Sequence, residues 1–72
     1  MCRSIKPLFN FDPPTNNDEV KAAALQFVRK VSGYREPSRA NKQAFDEAVQ
    51  QIAQVTQVLL KSLSTTAPPR VR

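Results

Sequence analysis

The chain has 72 residues, with 11 Lys plus Arg against 6 Asp plus Glu, one Cys, no His and no Trp. That size allows one domain and excludes a large catalytic fold wrapped around a closed substrate pocket. Without His the imidazole-based triads and dyads are excluded, as are most zinc sites, and a single Cys cannot form an internal disulfide.

The net charge of +5 is unevenly placed. Residues 1–28 are neutral in sum. Residues 29–42 carry Arg29, Lys30, Arg35, Arg39 and Lys42 against Glu36 alone, a balance of +4. Five of the six Pro and no Gly lie outside residues 15–64, whose interruptions are Gly33 and Pro37 alone. Two long unbroken segments favour helices over hairpins, which need repeated turn residues. The longest apolar run, residues 22–25, is far below the ~20 residues that span a bilayer, and no signal-peptide pattern opens the chain. The expected setting is therefore cytoplasmic, without membrane contact and with the thiol reduced.

Residues 1–14 read as an arm. Ile5, Leu8, Phe9 and Phe11 make it too apolar to lie in solvent, so docking is expected. Ser4 offers a cap for a helical turn reaching Phe9, and Pro13-Pro14 fix an extended exit. A first helix is expected at 18–32. Thr15 with Asp18, or Asn16 with Glu19, fits the cap-plus-acid pattern, Arg29 and Lys30 suit the negative end of the dipole, and Gly33 suits a left-handed cap. Its apolar stripe is Val20, Ala24, Phe27, Val31 and Tyr34. Residues 33–38 connect to a second helix at 39–63, capped by Ser38. That helix carries the stripe Phe45, Val49, Ile52, Thr56, Leu59 and Leu63, widened by Ala48, Val55 and Leu60. Residues 64–72 read as a disordered tail beyond a single domain at 1–63.

The expected fold is therefore all-α: an antiparallel helical hairpin, with the arm packed over the overhanging end of the second helix. At 1.5 Å per residue the second helix outreaches the first by roughly 15 Å, leaving residues 55–63 for the arm to cover. A second subunit is the competing cover, because the same stripe is a coiled-coil seam, so monomer and homodimer both remain open.

Several strings in the chain occur together in one known family. They are Met1-Cys2-Arg3-x-Ile5, Leu8-Phe9-Asn10-Phe11-x-Pro13-Pro14, the run from Ala23 through Gln26-Phe27-Val28-Arg29-Lys30 to Ser32-Gly33, and Pro37-Ser38-x-Ala40-Asn41 with Phe45. In these the chain resembles a family of short, uncharacterised bacterial proteins catalogued as a domain of unknown function. Members commonly have Asn in place of Ser4, and both residues can cap. The resemblance implies a bacterial, cytosolic, stand-alone protein. It supplies no activity, ligand, cofactor or catalytic residue.

Three groups of residues remain as candidate sites. Cys2 becomes the N-terminus if Met1 is removed, and its thiolate and amine could then bind a soft metal or react. The ordinary alternative is a small apolar side chain packed under the arm. Arg29, Lys30, Arg35, Arg39 and Lys42 surround Tyr34, a set able to hold a phosphate backbone while the ring stacks on a base. Their ordinary alternative is dipole compensation and solvated surface. Gln50, Gln54 and Gln57 lie on a face of the second helix where charge is missing from residues 48–60, which suggests a partner surface. The carboxylates form neither a catalytic pair nor a metal site, and no cofactor is implied. The function expected is non-enzymatic: a small interaction or adaptor module with an unknown protein partner. Nucleic-acid binding at the basic turn and thiol or metal chemistry at Cys2 are the alternatives.

Overall fold

The computed structural model describes residues 5–71. In chain order these form a short strand β1 (Phe11–Asp12), helix α1 (Asn17–Ser32), a 3₁₀ turn (Arg39–Asn41), helix α2 (Lys42–Ser62) and a short strand β2 (Arg70–Val71). The chain is thus mostly helical rather than wholly so. Phe11 and Asp12 pair in parallel with Arg70 and Val71.

Asn16 begins α1. Its side chain accepts from the Glu19 amide at 2.9 Å, and the Glu19 carboxylate accepts from the Asn16 amide at 3.2 Å. Of the two capping patterns in the sequence, this is the one used, and it satisfies two amides that the first turn leaves free. Gly33 ends the helix at φ 78°, its amide donating to the Arg29 carbonyl at 3.0 Å. Gly meets that left-handed geometry without the Cβ clash other residues suffer.

The second helix differs from expectation at its start. Residues 39–41 form a 3₁₀ turn before α2 begins at Lys42, and Ser38 makes no side-chain cap. Ser38 stands at the N-cap of the 3₁₀ turn instead, and its hydroxyl accepts from the Asn41 side-chain amide at 2.9 Å.

The helices pack antiparallel. Asn17, at the start of α1, accepts from the Gln57 side chain near the end of α2 at 2.9 Å, while Val28 and Phe45 line one groove near the connection. The core is small. Val20, Ala24 and Ala53 are buried to within 4% of full coverage, and Leu8, Val49, Ile52 and Leu60 pack around them. Val28 and Phe45 are the other buried apolar residues among those described. Small side chains at Ala24 and Ala53 permit close helix approach, so this seam gains stability from fit more than from area.

The arm is docked, as its composition required. No helical turn forms over residues 5–9, because Pro7 restricts Lys6 before it to extended backbone; Ser4 lies outside the described residues. Leu8 enters the core, and its carbonyl accepts from the Thr15 hydroxyl. The arm covers less of α2 than expected. It reaches Thr56 and Leu60, but Val55, Val58, Leu59 and Leu63 stay exposed. The reason is angular. At 100° per residue, Leu60 and Thr56 share the side of α2 that faces α1 and the arm, and residues 55, 58 and 59 are turned away from it.

The sequence reading leaves residues 64–72 as a disordered tail; in the structure the chain returns to the arm. Asn10 adopts φ 64°, its carbonyl accepts from the Arg70 amide at 2.8 Å, and its side chain donates to the Pro68 carbonyl at 3.2 Å. The Arg70 guanidinium stands 5.6 Å from the centre of the Phe11 ring. An Asn in the left-handed region, plus a cation over an aromatic face, supplies local contacts that hydropathy does not register.

Candidate functional site

An open apolar groove lies along one side of the helical seam. Near the connection, Phe27, Val31 and Tyr34 form one wall of an open groove, and Ala44, Ala48 and Ile52 form the other. Its volume is about 360 Å³. Past Ile52 the groove continues beside Ala23, Thr56 and Leu60, where Ile5 and Leu8 of the arm partly fill it. The arm therefore acts as a third layer over one half of the seam and leaves the other half bare.

Why this face is bare follows from the sequence. In α1 the buried residues step by four, through Val20, Ala24 and Val28, so the contact line advances 40° at each step and by the last turn has moved past Phe27 and Val31. Val31 is 72% exposed, Phe27 45% and Tyr34 44%. In α2 the buried side runs through Phe45 and Ala53, leaving Ala44, Val55, Val58, Leu59 and Leu63 exposed beside it. Each helix carries an apolar arc wider than one partner helix can cover.

The basic turn is built differently from the open cluster its sequence suggested. The Arg29 guanidinium donates to the Arg35 carbonyl at 3.0 Å and braces the loop after Gly33. The Lys42 ammonium lies 2.7 Å from the Asp46 carboxylate, one helical turn away. Both partners are largely solvent-exposed, so that pair contributes little to stability. Lys30, Arg35 and Arg39 are exposed at this tip. Tyr34, whose amide donates to the Ser32 hydroxyl at 3.2 Å, sits at the mouth of the apolar groove. The structure thus brings one aromatic and four exposed cations, Lys42 among them in its pair with Asp46, to the end of a hydrophobic channel.

The glutamines divide. Gln57 is partly buried and engaged with Asn17, while Gln50 and Gln54 are exposed on the opposite side of α2 from Val55 and Leu59. Gln43 donates to the Glu47 carboxylate at 3.2 Å. Cys2 lies outside the described residues. Among the described residues, no three His, Cys, Asp or Glu side chains cluster as a metal site, and no helix is long and apolar enough to cross a membrane.

Sequence reasoning did not single out the groove. Phe27, Val31 and Tyr34 read as core because their spacing is helical, and periodicity cannot tell a stripe that meets a partner helix from one beside it. The available signal was width: residues 44, 48, 55 and 59 form a second apolar line next to 45, 49, 53 and 60.

No curated protein and no solved structure matches the chain. A family model matches it from end to end, over residues 1–72, and the chain belongs to that family, the uncharacterized conserved proteins DUF2277.

Proposed function

We propose that this chain is a small, non-enzymatic cytosolic interaction module that binds a protein through the bare half of its helical seam. The groove between Phe27, Val31 and Tyr34 on one side and Ala44, Ala48 and Ile52 on the other carries this reading. Its lining is apolar and elongated, the chemistry by which a groove accepts the hydrophobic side of a helix. A monomer normally leaves such surface uncovered only where something docks. Lys30, Arg35 and Arg39 at the groove's end add a positive rim that favours a partner with acidic residues beyond its apolar contact.

The test is retention of proteins from lysate on the tagged full chain, compared among wild type, Val31→Glu, Leu59→Lys and the double variant Arg35→Ala with Arg39→Ala. The expected result is a protein, the chain's own untagged copy included, held by wild type and the Arg variant and lost with either apolar-face substitution. If the face substitutions change nothing, or if the retained material is nucleic acid that leaves as salt is raised, the reading fails and the basic tip takes its place.

A further inference from the structure

The bare face has a feature that points to its occupant. On α2, Ala44, Ala48, Val55 and Leu59 fall within about 60° of one another around the helix axis. Small side chains occupy the first half of this line and large ones the second. Ala40, in the 3₁₀ turn, and Leu63, at the helix end, extend the same order by one turn each way. Residues 48–60 between them carry no charge.

Resting on the proposed binding face, we infer that the partner is a second copy of this chain, docked face to face with the two α2 helices antiparallel. A two-fold axis between Gln51 and Ile52 sets Ala44 opposite the partner copy's residue 59, and Ala48 opposite its residue 55. Every large side chain then meets a small one, in both directions, as a closed two-fold interface requires. Leu59 of each copy enters the other's groove beside Val31 and Tyr34. The parallel alternative sets Leu59 against its own equivalent and leaves a void between two alanines at position 48. It also brings the two +4 connections side by side, where the antiparallel arrangement holds them at opposite ends and moves each toward the α1 start that carries Asp18 and Glu19.

Area agrees with this occupant. The exposed parts of Phe27, Val31, Tyr34, Val55, Leu59 and Leu63, with Val58 at the edge, sum to on the order of 600 Å², against ~800 Å² per partner in a standard interface. The polar rim of Gln51, Ser32 and Ser62 supplies the remainder. Four helices then enclose a core that two helices cannot.

The experiment measures the mass of the full chain in solution from micromolar to millimolar concentration. It compares wild type, Ala44→Glu, Leu59→Lys and the double variant carrying both. Positions 44 and 59 are exposed in the single chain, so the helices should survive, as circular dichroism checks. Wild type is expected at twice the mass of one chain. Each single variant is expected to bind at least about tenfold more weakly, and the double variant to recover most of the loss by pairing Glu with Lys across the interface. Within one chain the two positions are about 22 Å apart, too far to pair, so recovery reports contact between copies in the stated register. A wild type that stays monomeric while retaining a foreign protein through Leu59 overturns self-association and keeps the binding face; a monomer that retains nothing through this face overturns both. A dimer indifferent to either single variant, or one the double variant fails to restore, overturns the antiparallel arrangement.

Discussion

Replacing Leu8 with Ala tests whether the arm is core. Leu8 packs against the buried group of Val20, Ala24 and Ala53 with Leu60 beside it, yet it is only partly buried. A fully buried Leu→Ala change costs about 2–5 kcal/mol through lost transfer energy and the cavity left behind. Leu8 is more than half buried, which scales this to about 1.5–4 kcal/mol. Small unstapled domains have only ~3–5 kcal/mol in total, so the change removes a third or more of the stability. At roughly 4–8 °C per kcal/mol, the midpoint of thermal unfolding should fall by at least about 6 °C. Urea unfolding followed by far-ultraviolet circular dichroism measures the loss, at dilute chain so that association does not mask it. Gln54→Ala, at an exposed position on the other side of α2 from the apolar face, is the control and should change stability by less than about 0.5 kcal/mol. If Leu8→Ala costs no more than that control, the arm does not belong to the core, and the physical account of how so short a chain folds is wrong.

Other substitutions separate the remaining supports. Asn16→Ala removes the reciprocal cap at the start of α1 and should cost about 1 kcal/mol in urea unfolding, with Asn16→Ser recovering most of it. Gly33→Ala should destabilise by about 1–2 kcal/mol although open space surrounds the position, because the penalty comes from φ 78° and not from a neighbour. Asn10→Ala loses the bonds to residues 67 and 68 and puts Ala at φ 64°; it should cost about 1–2 kcal/mol while making residues 64–71 more easily cleaved by protease.

Much of the helical layout was legible because its signals are local. Asn16 with Glu19, and Gly33 after Arg29 and Lys30, fix both ends of α1 by chemistry that acts within one turn. The start of α2 was less legible, because Ser38 had a second partner in Asn41 and the choice between capping and that bond is decided by loop geometry. The paired ends were not legible at all. Two-residue strands carry no periodicity, and the contacts that join them run from Asn10 to residues 67–70, nearly the full chain apart. The apolar face was visible only in part. The sequence shows that α2 is hydrophobic over a wide arc, but which part meets α1 depends on the close approach at Ala24 and Ala53. That approach turns Val28 inward and leaves Phe27 and Val31 bare. The basic turn was legible as charge and not as structure, since Arg29 serves the Arg35 carbonyl and Lys42 serves Asp46.

Tyr34 provides the most direct test of the claim that the bare face is made to be covered. It is the chain's one Tyr, there is no Trp, and it sits half-exposed at the mouth of the groove, so intrinsic fluorescence reports this site alone. Quenching of that emission by acrylamide, measured as the protein is concentrated, should weaken as the face becomes occupied. It should remain strong at every concentration in Leu59→Lys. Quenching that is independent of concentration in wild type, and equal in the two proteins, would contradict the account.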